Sequence, residues 1–364
     1  MSLQQVDYGI REDGEPLPLF VRPKDDNSKQ FLQRWLDNNK EWLEQKLLEH
    51  GAVMFRGFDI RCAADFEAAV RRVQPELSDE YRGTSPRRLI PGTEAVFSAS
   101  ELPGYYPIAQ HIEMSQLPAP PRKVMFCCLD PPTSFGGETS LCDFRKVYRD
   151  LDPEVRSKFQ EKGVMYVKNY TRNGKKWSID PTMLKGWEEL FGTTDKTVVD
   201  EECRKSNIDI TWKDNDAVKL VNREAAIQYH PETNEPVWFN HVQVFHLTML
   251  KDELYRFSHR SKSFFFLLLS YLMAIINWLA MTVVRHTEFG FYTFYGDGTE
   301  VTASELRSIG DTIWKNMVFN RWEMGDILMI DNFSTSHGRQ PYSGKRKVVV
   351  CWSPPCQKPK AYRQ

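Results

Sequence analysis

Three pairs of residues in the sequence have the spacing His-x-Glu: His111/Glu113, His230/Glu232 and His286/Glu288. On a β-strand, residues i and i+2 point the same way, so such a pair delivers an imidazole and a carboxylate to one point. A mononuclear iron site that activates oxygen needs two imidazoles and one carboxylate on one face of the metal. In a chain with eight histidines and 27% charged residues, roughly one His-x-acid pair is expected by chance. The spacing alone therefore does not choose between the three pairs.

The C-terminal region supplies a further histidine beside a candidate carboxylate-binding arginine. Residues 325–352 contain a turn, an apolar strand, His337, a Pro341–Gly344 turn, Arg346 and a second strand. If the segment folds as an antiparallel hairpin about the 341/342 bond, positions 337 and 346 lie opposite each other on one face. An arginine can hold a carboxylate with two parallel hydrogen bonds, as a dicarboxylate co-substrate requires. The segment therefore predicts that His337 is a metal ligand and faces a carboxylate-binding Arg346.

Composition sets broad limits on the class of protein. The chain has 364 residues, 13% aromatic content and a formal net charge of -1, which favours a compact enzyme. No bulk basic field is present to gather nucleic acid. Seven scattered cysteines without a C-x-x-C pair argue against a disulfide framework and favour a reducing compartment. The N-terminus has no secretory signal pattern, so we expect a cytoplasmic location.

Apolar spacing and turn residues indicate one domain. Residues 1–29 are polar and predict a loosely held N-terminal arm before a single domain over 30–364. Within the domain, Gln30–His50 has helical apolar spacing that Gly51 is placed to stop. Ala52–Phe58 has the composition of a strand. Many short strands with helices inserted among them predict a mainly β fold with helical decoration, of the β-sandwich or jelly-roll type.

One segment departs from this pattern. Residues 264–284 contain no charged residue, within an apolar insertion at about 262–286, and the run is long enough to span a membrane. A single crossing would place Glu113 and His337 on opposite sides, which is incompatible with one metal site. Three interpretations remain: a helix that contacts the membrane surface, a helix covered by a partner subunit through self-association, or an unspliced piece of gene.

Six stretches of the sequence resemble the taurine dioxygenase/clavaminate synthase family of 2-oxoglutarate oxygenases. They occur in the family's order between residues 51 and 352, and the first His-x-Glu block and the last block are the most specific. The stretches are G-A-V-M-F-R-G-F (51–58), G-T-S-P-R-R (83–88), H-I-E-M-S (111–115), G-G-E-T (136–139), W-F-N-H (238–241) and H-G-R-Q-P-Y-S-G-K-R (337–346).

The resemblance implies a double-stranded β-helix fold and a role for five residues. His111, Glu113 and His337 are implied to bind Fe(II), while Arg346 and Thr139 are implied to bind 2-oxoglutarate. The implied reaction consumes molecular oxygen, releases succinate and CO2, and oxidises, most simply by hydroxylation, a small and amino-acid-like substrate.

Alternatives remain at several positions. Arg339 is the alternative to Arg346 as the carboxylate-binding residue. Thr139 could be only a strand residue after a Gly-Gly turn. Asn240 and His241 could line a substrate pocket or be structural. His230 and Glu232 flank a proline, which predicts a surface turn, and Cys127 and Cys128 are predicted to be buried apolar residues rather than ligands.

Two other function classes are compatible with the same sequence. One is a catalytically silent, membrane-associated binding protein of this fold, and the other is a cupin-type metalloenzyme that does not use 2-oxoglutarate. Succinate formation and the effect of an Arg346 substitution separate them from the oxygenase.

Overall fold

The computed structural model describes residues 3–81, 83, 87–174, 186–358 and 360–361. The strands of the described residues are β1 (Val6–Gly9), β2 (Leu19–Pro23), β3 (Ala52–Phe55), β4 (Phe97–Ser98), β5 (Ile108–His111), β6 (Lys123–Asp130), β7 (Thr139–Asp143), β8 (Val164–Tyr170), β9 (Asp209–Trp212), β10 (Val218–Glu224), β11 (Gln228–Tyr229), β12 (Pro236–Val237), β13 (Phe291–Tyr295), β14 (Met317–Val318), β15 (Ile327–Asp331), β16 (Thr335–Arg339), β17 (Lys347–Trp352) and β18 (Lys360–Ala361).

The α-helices of the same ranges are α1 (Lys29–Asn38), α2 (Lys40–His50), α3 (Ala63–Val70), α4 (Phe144–Asp150), α5 (Pro153–Lys162), α6 (Trp187–Phe191), α7 (Lys196–Lys205), α8 (Met249–Ser261), α9 (Phe264–Val283) and α10 (Ala303–Lys315). Short 3-10 helices cover Leu3–Gln5 and His286–Glu288.

Two sheets form the centre of the molecule. The larger has the strand order β1-β2-β3-β15-β6-β17-β4, and the smaller has the order β14-β7-β16-β5. From β4 to β7, and again from β14 to β17, each successive strand belongs to the opposite sheet. This alternation is the winding of a double-stranded β-helix, or jelly roll, and it confirms the predicted fold class. Helices on the outside of the sheets account for the helical decoration.

The predicted C-terminal hairpin is wrong. Strand β16, which carries His337, pairs with β5 and β7, whereas β17 pairs with β4 and β6 in the other sheet. Residues 340–346 therefore cross between the sheets instead of reversing within one. Local turn residues indicate that the chain changes direction, but they do not say which strand it meets next.

The N-terminal segment is not a loosely held arm. Strand β2 pairs in parallel with β3, and β1 pairs with β2, so both extend the larger sheet. Val6, Leu19 and Val21 are buried in the core cluster of that sheet. Strands of four and five residues are too short for the alternation of apolar and polar residues to distinguish an edge strand from a polar coil.

Helix boundaries follow the capping residues. The predicted helix 30–50 is two helices separated at Asn39, whose φ of -128° and ψ of 27° are not helical. Gly51 ends α2 with a φ of 76°, and its N–H donates to the Leu47 carbonyl, as the sequence predicted. Thr302 caps the N-terminus of helix α10, where Glu305 completes a capping box.

A further sheet lies beside the jelly roll, with the order β13-β8-β10-β9. The apolar run of the sequence forms helix α9, which packs against α8 and contributes Ala280 to a core cluster that also contains Met165 and Val167 of β8. Nine of its large side chains are exposed, from 43% at Leu279 to 71% at Phe264 and Val283. It is the one described helix long and apolar enough to cross a membrane.

Candidate active site

The smaller sheet brings the two candidate histidines together. His337 of β16 pairs directly with His111, the last residue of β5, and their ring centres are 4.4 Å apart. Glu113 lies just beyond the end of β5, so the ligand pair is not held on one strand as predicted. Instead, the Asn332 side chain accepts a hydrogen bond from the Glu113 N–H and donates one to its carbonyl. This clamp fixes Glu113 beside the histidines.

The three side chains have the donor set and spacing of a metal site. The Oε2 atom of Glu113 is 3.5 Å from Nε2 of His337 and 3.9 Å from Nε2 of His111. One ligand atom from each residue lies within 4.8 Å of the others. With bonds of about 2 Å to a divalent ion, neighbouring ligand atoms lie roughly 3 Å apart, so a small inward movement completes the site. Two imidazoles and one carboxylate suit Fe(II).

Hydrogen bonding leaves the required nitrogen atoms available. Nδ1 of His111 is 2.9 Å from the Ala109 carbonyl, which fixes its proton on Nδ1 and directs the Nε2 lone pair toward Glu113. Nδ1 of His337 is buried and has no hydrogen-bond partner within the described ranges. His230 and Glu232, by comparison, belong to no cluster of three potential ligands among the described residues.

Arg87 is a site residue whose role the sequence did not reveal. It belongs to the 83–88 stretch, of which residues 84–86 lie outside the described residues. Its Nη2 atom donates to Oε2 of Glu113 at 2.8 Å, and its guanidinium lies over the Tyr81 and Trp352 rings. Its Nε and Nη1 atoms are buried without a hydrogen-bond partner in the part of the chain described. The sequence displays Arg87 within a basic motif, but it does not show that Glu113 is the ion-pair partner of Arg87.

Burial and neighbouring charges set the protonation states. Burial lowers the pKa of His111 to about 4, with a further contribution from His337, so His111 is neutral at physiological pH. Burial alone would raise the pKa of Glu113, but Arg87 and the two histidines outweigh it and lower that pKa. A neutral imidazole beside an ionised carboxylate is the protonation state that binds a divalent metal.

A cavity next to the histidines is lined by Thr139, Arg346 and Arg339. Arg346 donates from Nη2 to the Thr139 hydroxyl at 3.2 Å and from Nε to the Gly137 carbonyl at 2.7 Å. Burial, with a smaller effect of Arg339, lowers the pKa of Arg346 to about 10, which leaves it charged. Arg339 instead donates to three carbonyls of residues 102–106. Arg346 is thus the arginine with the freer guanidinium.

Of the remaining predicted positions, His241 lies near the site and the others have structural contacts. His241 lies near the site, 6.0 Å from His111 between ring centres, and Asn240 is structural because it donates to the Ala226 carbonyl and accepts from Val242. The prediction that His230 is at the surface is wrong: it is 1% exposed and pairs with Asp331. Burial of Cys127 and Cys128 is confirmed.

A jelly roll whose smaller sheet gathers two histidines and a carboxylate beside an arginine-lined cavity defines the class of Fe(II)- and 2-oxoglutarate-dependent oxygenases. The chain belongs to the taurine catabolism dioxygenase TauD, TfdA family, whose sequence pattern it matches over residues 15–352. The protein is therefore an Fe(II)/2-oxoglutarate-dependent dioxygenase, and members of this family use Fe(II), 2-oxoglutarate and O2.

Two relatives match most of the chain. The dapdiamide synthesis protein DdaC of Enterobacter agglomerans is 28% identical over 309 residues, which cover 85% of this chain and 83% of the relative. A clavaminate synthase-like protein of Arabidopsis thaliana is 27% identical over 350 residues, covering 93% and 94%.

Solved structures support the same fold. PvcB of Pseudomonas aeruginosa, an Fe, alpha-ketoglutarate dependent oxygenase from an isonitrile synthetic pathway, matches with a TM-score of 0.52 at 14% identity, covering 100% of this chain and 98% of that one. A taurine dioxygenase from Burkholderia xenovorans matches with a TM-score of 0.50 at 12% identity, covering 96% and 89%.

Proposed function

We propose that His111, Glu113 and His337 bind Fe(II), and that Arg346 and Thr139 bind the far carboxylate of 2-oxoglutarate. The observation that carries the proposal is the convergence of the three ligand atoms within 4.8 Å, beside a cavity that Arg346 and Thr139 also line. When bound, iron and 2-oxoglutarate supply an oxidant for substrate, with release of succinate and CO2.

The chain's own residues bind and orient these groups. Arg346 provides a fixed positive charge for a carboxylate, and the Thr139 hydroxyl, held by Arg346, adds a second hydrogen bond. Arg87 neutralises part of the charge of Glu113 and holds its carboxylate in place. The aromatic ring of Phe126, 5.0 Å from that of His337 between centres, keeps water from one side of the imidazole.

Substitution of a ligand tests the metal site. We expect wild-type protein with Fe(II) to bind 2-oxoglutarate in anaerobic calorimetry and to form succinate slowly in air. His337→Ala is expected to abolish both, whereas His259→Ala, which removes an exposed histidine of α8, leaves both unchanged. Full succinate formation by His337→Ala would refute the assignment.

The same measurements separate the two other function classes. A protein that binds Fe(II) and 2-oxoglutarate but forms no succinate, with or without any added small molecule, is a silent binding protein. An iron-dependent oxidation that proceeds without 2-oxoglutarate identifies a metalloenzyme of another type.

We further propose that the substrate is a small, amino-acid-like molecule and that the reaction is a hydroxylation. The likeness to DdaC, which takes part in dapdiamide synthesis, supports a small-molecule substrate. Mass spectrometry of the product is expected to show the gain of one oxygen atom, whereas loss of two hydrogen atoms would indicate desaturation instead.

We also propose that the exposed face of α9 rests on a lipid surface. Projected at about 100° per residue, its nine exposed large side chains occupy one continuous arc, and the helix contains no charged residue. Lys262 and Arg285 are exposed at its two ends, where they can meet anionic headgroups. A helix that packs sideways on α8 lies along a surface rather than across it.

Vesicle flotation tests this proposal. We expect the full chain to float with vesicles containing phosphatidylserine, and the triple variant Leu268→Ser/Ile275→Ser/Trp278→Ser to remain in solution. The matched control removes three exposed apolar side chains elsewhere, Leu89→Ser/Tyr105→Ser/Val198→Ser, and is expected to float. A wild type that stays in solution as a dimer, and becomes a monomer in the triple variant, would show that a second copy covers this face.

A further inference from the structure

A cavity with a volume of about 700 Å³ lies against strand β8. Because side chains alternate along a strand, Tyr166, Lys168 and Tyr170 all face into it, and Leu220 and Asn222 of the neighbouring β10 complete the same wall. The volume fits a small organic molecule. The three candidate ligands are not among its lining residues, so its relation to the metal cluster must be established separately.

Contacts between neighbouring side chains connect the cavity to the metal cluster. The Nζ atom of Lys168 is 4.2 Å from the centre of the Phe245 ring, and that ring is 5.1 Å from the ring of His241. His241 lies 6.0 Å from His111. Tyr166 bridges the same layer, because its hydroxyl accepts a hydrogen bond from the His241 N–H. His241 and Phe245 therefore join the two places: Phe245 contacts Lys168 at the cavity, and His241 lies beside His111 of the metal cluster.

Lys168 is a largely buried cation without an anionic partner in the described ranges. Burial lowers the pKa of its ammonium to about 7, and no neighbouring charge contributes to that shift. Glu189, Glu202 and Lys205 also line the cavity, but neither carboxylate pairs with Lys168. Holding an unpaired ammonium at such a position costs stability, which is typical of a residue kept for a ligand.

Gln116 adds a hydrogen-bond acceptor to the same cavity. Its side chain is 8% exposed, and its Oε1 atom is buried with no hydrogen-bond partner among the residues described. Asn222 donates to the Gln116 backbone carbonyl and lies opposite Tyr166 in the sheet, and both Gln116 and Lys168 line the cavity. A cation and an unpaired acceptor thus face one cavity, whose lining mixes polar and apolar side chains.

We propose that Lys168 and Gln116 are specificity-determining residues of the oxygenase: Lys168 binds a carboxylate of the substrate, and Gln116 accepts a hydrogen bond from an N–H group close to that carboxylate. This inference rests on the proposed function, since the cavity is taken as the substrate side of the iron site. The ligand class is a free amino acid or a small molecule that keeps a carboxylate beside an N–H group.

Matched ligand mixtures test the carboxylate. One mixture contains the free α-amino acids and the other contains the same compounds as carboxamides, each given to the Fe(II)- and 2-oxoglutarate-loaded protein. We expect the acids alone to raise succinate formation above the uncoupled rate. For the most effective acid, Lys168→Met is expected to lower kcat/KM by about 10- to 100-fold, mainly through KM, because a charge-assisted hydrogen bond is lost.

Variants identify the roles of the two residues. Lys168→Arg is expected to recover part of the loss, and Gln116→Leu to raise KM about tenfold. The matched control Lys315→Met removes an exposed lysine of α10, outside the cavity, and is expected to change neither parameter. Calorimetry of the acid with Mn(II)-loaded protein without oxygen is expected to show the same order of affinities, as a readout independent of turnover.

The outcomes separate this inference from the proposed function. The inference is overturned if both mixtures, or neither, raise succinate formation. It is also overturned if Lys168→Met leaves the KM unchanged. In each case the uncoupled, iron-dependent succinate formation remains, so the proposed function stands. Loss of 2-oxoglutarate binding and of uncoupled turnover in the wild type overturns the proposed function itself.

Discussion

At the residue scale, the site depends on buried charges that satisfy one another. Arg87 and Glu113 have side chains only 5% and 4% exposed, and their ion pair lies beside His111 and His337. Breaking a buried pair leaves an uncompensated charge, which is costly even where the intact pair contributes little. A metal ion bound to Glu113 can compensate the carboxylate charge in place of Arg87.

Arg87→Met is therefore expected to destabilise the metal-free protein more than the metal-bound one. We expect the free energy of unfolding in urea to fall by roughly 3–5 kcal/mol with a chelator present, and by clearly less with Mn(II), which binds only the folded state. The control is Arg88→Met, an exposed neighbour whose substitution is expected to stay within about 0.5 kcal/mol. Equal destabilisation under both conditions would mean that Glu113 does not bind the metal.

Arg346 and Lys345 offer a direct comparison of a buried and an exposed cation. Arg346→Gln removes the charge that faces Thr139 in the cavity, so the KM for 2-oxoglutarate is expected to rise at least about tenfold. Lys345→Gln removes the adjacent exposed charge and is expected to leave that KM unchanged. Steady-state succinate formation measures both, and an unaltered KM in Arg346→Gln would move the co-substrate site to Arg339 or elsewhere.

The buried Lys168 predicts a pH-dependent stability. Its pKa is lowered from an ordinary 10.5 to about 7 in the folded protein, so between these values the unfolded chain binds more protons and stability rises with pH. Below pH 7 the full penalty of the charged form is present. Lys168→Met is thus expected to be more stable than wild type at pH 6, with a difference that shrinks toward pH 9.

Urea unfolding at both pH values measures this difference, with Lys315→Met, which removes an exposed lysine of α10, as the control. A gap between Lys168→Met and wild type that grows from pH 6 to pH 9 would contradict the assigned direction. The other ionisable side chains that line the cavity are Glu80, Tyr81, Tyr166, Tyr170, Glu189, Glu202, Cys203 and Lys205, and His241 lies behind Phe245.

At the scale of elements, helix α9 has one packed face and one exposed face. Ala280 is fully buried against the reverse side of β8, the strand that carries Lys168 into the cavity. Asn277 is also buried and donates to the Leu247 carbonyl. The insertion is therefore integrated into the domain through small and polar residues, while its large apolar residues point outward.

Two substitutions to phenylalanine separate these faces. Ala280→Phe forces a large ring into packed space and is expected to destabilise the protein by about 1–3 kcal/mol. Leu272→Phe enlarges an exposed position and is expected to stay within about 0.5 kcal/mol. Urea unfolding compares the two variants. An unchanged free energy of unfolding in Ala280→Phe would show that α9 does not pack on β8 in solution.

At the scale of the whole molecule, the packed sheets hide most of the thiols. Of the seven cysteines, Cys62 is exposed, Cys356 is partly buried, and the other five are buried. Burial raises the pKa of the buried thiols, for example that of Cys203 to about 11, which slows alkylation because the thiolate is the reactive form.

Alkylation therefore reports on the intact fold. In native protein at neutral pH, iodoacetamide is expected to modify Cys62 first and Cys356 slowly, with all seven thiols reacting in denaturant. Cys62→Ser is expected to remove the fast phase, as counted by mass spectrometry of the intact chain. Rapid reaction of several more thiols would mean that the sheets open readily.

The sequence by itself determined the features that depend on nearby residues. It located the stop at Gly51, the strand composition of Ala52–Phe58, and the two short motifs that contain His111, Glu113 and His337. These depend on side-chain type and on spacing over a few positions, which a single sequence displays.

Only the tertiary structure decided which strands pair and which buried groups meet. It placed β16 and β17 in different sheets, added β1 and β2 to the larger sheet, and buried His230 against Asp331. It also joined Arg87 to Glu113 and opened a cavity at Lys168. Strand partners and ion-pair partners far apart in the chain leave no local periodicity, because the pairing energy exists only once the sheets have formed.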